Sequence, residues 1–90
     1  MRLVLVEWID SFGCSPNWGV IEDDPKPPTI PVCQSVGWLA YDGDDCKVVV
    51  PHIADATDYS KRQGCGEMTI PSRTIIRLVD LAIPKASAAA

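Results

Sequence analysis

The sequence has few basic side chains, one histidine and no long apolar run, and each shortage excludes a class of protein. Eight Lys and Arg residues against twelve Asp and Glu residues give the 90-residue chain a net charge of −4. A protein that binds DNA by charge alone needs the opposite balance. No apolar run approaches the about 18 residues of a membrane span, so no membrane partner is expected. The apolar stretch before Glu7 is shorter than the about 7–15 residues of a signal peptide, which predicts a cytoplasmic protein.

The cysteines lack the spacing of a metal site. Successive cysteines among Cys14, Cys33, Cys46 and Cys65 are separated by 18, 12 and 18 residues, whereas zinc sites usually contain a C-x2-C pair. In the cytoplasm we expect four reduced thiols and neither a metal nor another cofactor. His52 is the only histidine, so a Cys or Ser nucleophile would have a single histidine available as its base. The sequence therefore predicts a binding protein without catalytic residues, not an enzyme.

Apolar residues make up 47% of the chain, which excludes disorder of the whole sequence. They occur in short runs rich in β-branched and aromatic residues, which predict five strands. These are residues 2–9, 32–41, 46–50, 65–70 and 74–81. A Pro-rich connection at 22–31, a hairpin turn at 42–45, a polar loop at 54–64 and a corner at 71–73 join them.

This pattern predicts an all-β fold, namely a small five-stranded barrel of the SH3-like or Sm-like type with a Pro-rich loop. An OB-like barrel is the alternative. We expect one domain over residues 1–83 and a flexible Ala-rich tail over 84–90.

The first strand is apolar on both faces. Val4, Val6 and Trp8 alternate with Leu3 and Leu5. A single core uses only one face of a strand, so the long loop, a second subunit or a partner must cover the other. A homo-oligomer is therefore one of three open interpretations. We also expect Trp8 and Trp38 in the core, and Val48 and Ile76 pointing inward.

Candidate binding residues lie mainly in and beside the polar loop. Tyr and Arg are enriched at binding hot spots, and glycine lets backbone N–H groups approach a phosphate. Trp18, in a polar irregular segment, is the best candidate for an exposed ring, and the single histidine lies at a strand end. The predicted binding residues are Trp18, His52, Tyr59, Lys61, Arg62, Gln63, Gly64 and Gly66.

Several short segments in a fixed order resemble small accessory proteins encoded by tailed phages and prophages. They are VEWIDS at 6–11, WG at 18–19, CQSVGWL at 33–39, KVVVPHI at 47–53 and QGCGEMTIP at 63–71. The resemblance covers most of residues 4–81 and leaves out the Pro-rich connection and the tail. It implies a phage accessory protein in the host cytoplasm, and by analogy one that binds and inhibits a host defence protein. It carries no catalytic residues over to this chain.

A second function is open on the residues alone. An Sm-like oligomer would hold RNA or sequester a small signalling nucleotide, using the cations and glycines of residues 61–66 and aromatic rings for stacking. The net negative charge weighs against this interpretation.

Overall fold

The computed structural model describes residues 1–11 and 16–84, and this part of the chain is all-β. Its strands are β1 Leu3–Ile9, β2 Val32–Asp42, β3 Cys46–Val50, β4 His52–Ala54, β5 Gln63–Cys65, β6 Met68–Pro71 and β7 Ile75–Asp80. Five of them form one antiparallel sheet in the order β6-β3-β2-β1-β7, and β4 and β5 form a separate hairpin. The all-β class and the five-stranded sheet are confirmed.

The hairpin of β4 and β5 is the main departure from the predicted elements. The sequence predicts a polar loop at residues 54–64 and a fourth strand that begins at Cys65. Instead, Cys65 ends β5, and Gly66 turns the chain with a φ of 77°, a conformation that L side chains rarely adopt. The strand of the main sheet therefore starts later, at Met68.

One face of the sheet, the inner face, carries the core. Five buried side chains form a single cluster, against which Trp8, Ile75 and Leu78 pack. The cluster consists of Val4, Val6, Leu39, Val49 and Ile70. β-branched residues dominate because they fit a pleated, buried surface. Trp8 confirms the expected packing, and its indole Nε1 donates to Ser35 Oγ at 3.0 Å.

Two irregularities interrupt the pairing of this sheet. The register shifts between Leu39 and Tyr41 in β2, and between Glu7 and Trp8 where β1 meets β7. Such bulges bend a strand and increase its twist. The second bulge leaves Ile76 between the paired Ile75 and Arg77, and its side chain is 55% exposed. The expectation that Ile76 points inward is therefore wrong.

Val48 also differs from the expectation. Val49, its neighbour, is the β3 residue of the core cluster, with only 2% of its surface exposed, whereas Val48 is half-buried. Because successive side chains of a strand point to opposite faces, the sheet's inner face takes Val49 and excludes Val48.

The predicted corner at residues 71–73 is a short 3-10 helix, Ser72–Thr74. Ser72 fastens it to the turn between β2 and β3: its N–H donates to Asp45 O at 2.9 Å, and its Oγ donates to Gly43 O at 3.0 Å. Thr74 Oγ1 donates to Pro71 O at 2.7 Å. These bonds direct the chain into β7.

A group of ion pairs lies where β1 begins and where β2 and β7 end. Arg2 lies 2.7 Å from Asp80 and 3.5 Å from Asp42, and Lys47 pairs with Asp42 as well. The hydrogen bond from Lys47 is the main cause that lowers the pKa of Asp42, and the bond to Asp80 raises the pKa of Arg2.

Some expectations concern residues outside the described part. Cys33, Cys46 and Cys65 are free thiols, whereas Cys14 lies outside the described residues. Most of the expected tail, residues 85–90, lies outside them too. Among the residues that the structure describes, no helix is long and apolar enough to cross a membrane.

Candidate interaction surfaces

The hairpin carries most of the residues predicted to bind a partner. Its register pairs His52 with Cys65, Ile53 with Gly64, and Ala54 with Gln63. Residues 55–62 connect its two strands and are exposed throughout.

A turn at residues 57–60 presents Tyr59. Thr57 Oγ1 accepts hydrogen bonds from the backbone N–H groups of Tyr59 at 3.2 Å and Ser60 at 3.1 Å. The backbone closes the same turn, because Thr57 N–H donates to Ser60 O at 2.8 Å. The Tyr59 side chain is 98% exposed. An aromatic ring held outward on an ordered turn loses little conformational entropy on binding, which suits it to be an anchor.

Gly64 lets the hairpin approach the main sheet closely. A Cβ atom on Gly64 would lie 2.8 Å from Val50 Cγ1, closer than atoms pack. The absent side chain leaves room for Val50, which is buried. Any larger residue at this position would push the hairpin away from β3.

Between the hairpin and the sheet lies a cleft of two adjoining cavities, of about 280 and 190 Å³. Met1, Ile53 and Arg62 line both cavities. Gln63 and Gly64 line the larger cavity, together with Ala40, Val50 and Glu67. Trp38 and Asp55 line the smaller one. The structure therefore brings together three of the predicted binding residues, namely Arg62, Gln63 and Gly64.

Arg62 is the cation of this cleft. Its guanidinium lies 3.7 Å from Asp55, and both side chains are more than half exposed, so the pair is loose and solvated. An incoming anion can therefore compete for the guanidinium. Lys61, the second predicted cation, is exposed but does not line the cleft.

His52, Cys65 and Gly66 lie at the base of the hairpin. His52 and Cys65 are exposed and directly opposite each other, and both border a shallow cavity of about 230 Å³ with Gln63 and Gly64. A Cβ atom on Gly66 would lie 3.0 Å from Pro51 Cγ. Residues 1–11 and 16–84 contain no group of three or more His, Cys, Asp or Glu side chains that could hold a metal ion.

Trp18 lies apart from these residues, in the long connection between β1 and β2. Its ring is fully exposed, as are the neighbouring Val20 and Ile21. It does not line the cleft or the cavity at the base of the hairpin. Its use as an anchor would therefore require a partner that reaches a second part of the surface.

The second surface is the other side of the main sheet, which we call the outer face. Its cross-strand rows pair β1 with β2: Leu3 with Trp38, Leu5 with Val36, Glu7 with Gln34, and Ile9 with Val32. β7 adds Arg77 beside Glu7 and Val79 beside Leu5. Trp38 belongs to this face and does not join the core, contrary to expectation.

The outer face is apolar but only partly covered. Val36 is 51% exposed and Val32 is 56% exposed, whereas Leu3, Leu5, Trp38 and Val79 are half-buried. In the β1–β2 connection, the described residues 16–30 are exposed throughout, so they do not lie against this face. Of the three interpretations, cover by the described part of the long loop is therefore excluded.

The main-sheet residues that line the cleft, Trp38, Ala40 and Val50, are not predicted as binding residues from the sequence. The alternation of β1 places Leu3 and Leu5 on a second face, but the expectation for Trp38 is a position in the core. No sequence signal indicated that the hairpin would fold beside that face and bring Arg62 to Trp38.

Comparison of the chain with protein-family models, with curated proteins and with solved structures finds no match.

Proposed function

We propose that this chain is a phage accessory protein that binds and inhibits a host protein in the host cytoplasm. The single observation that carries the proposal is Tyr59, a fully exposed ring on a turn ordered by Thr57. Loops on a rigid sheet are where recognition usually lies. The sequence resemblance to phage accessory proteins supplies the biological setting, and Trp18 is the second proposed anchor.

We further propose that the sheet closes as a small barrel of the SH3-like or Sm-like type. The meander order, the 3-10 helix before the last strand and the two bulges all support this closure. The pairing of β1 with the last strand favours it over the OB-like alternative. Such a scaffold would hold the hairpin and its turn in a constant position.

The test is affinity capture from lysate of the natural host with four forms of the chain. These are the wild type, Tyr59→Ala, Trp18→Ala and, as matched control, Asp58→Ala, which changes an exposed residue of the same turn. We expect one host protein to be retained by the wild type and the control, and to be lost with Tyr59→Ala. With the purified host protein, Tyr59→Ala should weaken binding about tenfold or more.

Inhibition needs its own measurement. The activity of the captured host protein should fall when the wild-type chain is added, and Tyr59→Ala should inhibit less at the same concentration. Equal capture by all four forms, or no retained protein in repeated captures, would contradict the proposal.

A second candidate function rests on the cleft. Trp38 and Arg62 line the same cavity, and a ring beside a guanidinium suits a nucleobase with a phosphate. RNA or a small signalling nucleotide is the corresponding ligand class. A thermal-shift screen with nucleotides separates the candidates, because a saturating ligand raises Tm. Affinity that falls with salt, and that is lost in Arg62→Ala, would support this second function.

A further inference from the structure

We propose that residues 25–31 form a recognition segment in the polyproline-II conformation, which docks in an aromatic-lined groove of a partner protein. This goes beyond the proposed function, because the segment is a different part of the chain from the turn that presents Tyr59. It belongs to the long connection between β1 and β2, outside the segments that resemble phage accessory proteins. We call residues 25–31, which read PKPPTIP, the polyproline segment.

The sequence of the polyproline segment restricts its backbone almost completely. Proline fixes φ at about −65°, and the residue before a proline is biased towards extended or polyproline-II conformations. Every residue from Asp24 to Pro31 except Thr29 either is a proline or precedes one. In the structure, residues 25–31 belong to neither a helix nor a strand. The polyproline-II conformation is therefore favoured before a partner binds, which reduces the entropy lost on binding.

The spacing of the prolines separates apolar from polar edges. A polyproline-II helix has about three residues per turn, so residues three apart share an edge. Two of the three edges are apolar, and they consist of Pro25, Pro28 and Pro31, and of Pro27 and Ile30. The third edge is polar, with Lys26 and Thr29. Two apolar edges suit a groove lined by aromatic side chains, with the polar edge left in water.

The polyproline segment is anchored at one end and accessible along its length. Asp10 N–H donates to Pro31 O at 3.2 Å, directly before β2 begins. Across the described part of the chain, no hydrogen bond or ion pair involves residues 18–30. Residues 25–30 are all exposed. Both apolar edges are thus open to a partner, and the anchored end fixes where the segment leaves the sheet.

The charge beside the polyproline segment specifies the flank of the partner's groove. Glu22, Asp23 and Asp24 directly precede the first proline, and all three are exposed. Lys26 is the only basic residue among residues 18–31. Basic side chains at the end of the groove that receives residues 22–24 are complementary to this charge and set the direction of binding. The partner is therefore a protein with an aromatic groove and a basic flank.

Isothermal titration calorimetry of the full chain against a panel of purified SH3 and WW domains tests the proposal, because such domains recognise polyproline-II segments. The wild type should bind domains whose grooves have a basic flank, and bind those with an acidic flank more weakly. Pro28→Ala should raise Kd about tenfold or more, since it removes an apolar contact and frees the backbone. Thr29→Ala, on the polar edge, is the matched control and should leave Kd unchanged.

Thr29→Pro supplies a test of sign. It restricts the one residue of the segment that no proline restricts, and it leaves both apolar edges intact, so Kd should fall. Glu22→Gln combined with Asp23→Asn and Asp24→Asn should raise Kd, and the rise should be smaller at high salt. All the changed residues are exposed and make no hydrogen bond in the free chain, so every variant should keep the Tm of the wild type.

Three results would overturn the inference. They are no binding by any domain of the panel, equal effects of Pro28→Ala and Thr29→Ala on Kd, and weaker binding by Thr29→Pro. The proposed function is judged separately, by capture of a host protein that depends on Tyr59. Capture that Tyr59→Ala abolishes, together with no binding to the panel, would overturn the role of the polyproline segment and leave the proposed function standing.

Discussion

The two faces of one sheet differ in burial far more than in composition. Val4 and Val6 on the inner face are completely buried, whereas Val36 on the outer face is half exposed. Both faces are built from Val, Leu and Trp. The comparison teaches that apolar character alone does not identify a core, because burial also requires a second layer or a curved sheet to cover it.

The largest expected effect separates the two faces directly. Val6→Asp buries an unpaired charge among the core residues and should cost several kcal/mol, enough to unfold a domain of this size. Val36→Asp should change the free energy of unfolding by about 0.5 kcal/mol or less. Urea unfolding followed by circular dichroism, in dilute solution, measures both. A larger loss of stability in Val36→Asp than in Val6→Asp would mean that the faces are reversed, and equal losses would mean that the two faces are equally buried.

Gly37 tests how tightly the inner face is packed, because it is a small residue opposite Val4 on that face. A Cβ atom there would lie 2.7 Å from Val49 Cγ1 and 2.8 Å from Val50 O. Gly37→Ala should therefore cost about 1–3 kcal/mol through overpacking. Gly19→Ala is the matched control, since no atom lies within 4 Å of its Cβ position. The two changes in unfolding free energy are compared in the same urea experiment.

A smaller effect is expected at the rim of the inner face. Ser35→Ala removes the acceptor of the Trp8 indole N–H and should cost about 1 kcal/mol. Trp8→Phe removes the donor and some packing. A double-mutant cycle isolates the hydrogen bond, and a coupling energy near zero would show that it contributes nothing to stability.

The smallest effect lies at the end of the strands, where neither face is involved. The pKa of Asp42 is held below its ordinary value of 3.8 by Lys47, and to a lesser extent by Arg2. Because the folded-state pKa is lowered, the pairing stabilises the fold above the ordinary pKa, and this stabilisation is lost as the pH falls through the folded-state pKa. The Asp42 side chain is about half exposed, so solvent weakens the effect.

An NMR titration of the Asp42 carboxyl group measures this shift. Lys47→Met should return the pKa of Asp42 towards its ordinary value, whereas Lys26→Met, at a distant exposed lysine, should not. An unchanged Asp42 titration in Lys47→Met would refute the assigned cause.

The four longer strands of the main sheet, β1, β2, β3 and β7, were predictable because each contains five or more residues of mainly apolar or alternating character. β2 and β3 illustrate this, since the predicted ranges 32–41 and 46–50 nearly coincide with the observed ones. β4 and β5 were missed, because three residues contain too little periodicity to be recognised. The hairpin depends on Gly64 packing against Val50, which is a contact between distant segments.

The candidate site was predictable only in part, for the same reason. Tyr59 and Arg62 were identified from their residue types within a polar loop. Trp38 was assigned to the core, because a tryptophan within a strand normally lies there. Its position in the cleft beside Arg62 follows from the way the hairpin folds beside the sheet.

Local backbone preference and residue alternation are enough to predict the all-β class, the main strands and the residues available to each face. The choice of the face that forms the core depends on the folded arrangement of the strands. Bulges after Glu7 and after Leu39 shift the register, and the first of them removes Ile76 from the packed layer. Val49 and Ile70 complete the cluster around Val4 and Val6. Which face is buried depends on contacts between distant strands, and alternation within one strand is symmetrical with respect to that choice.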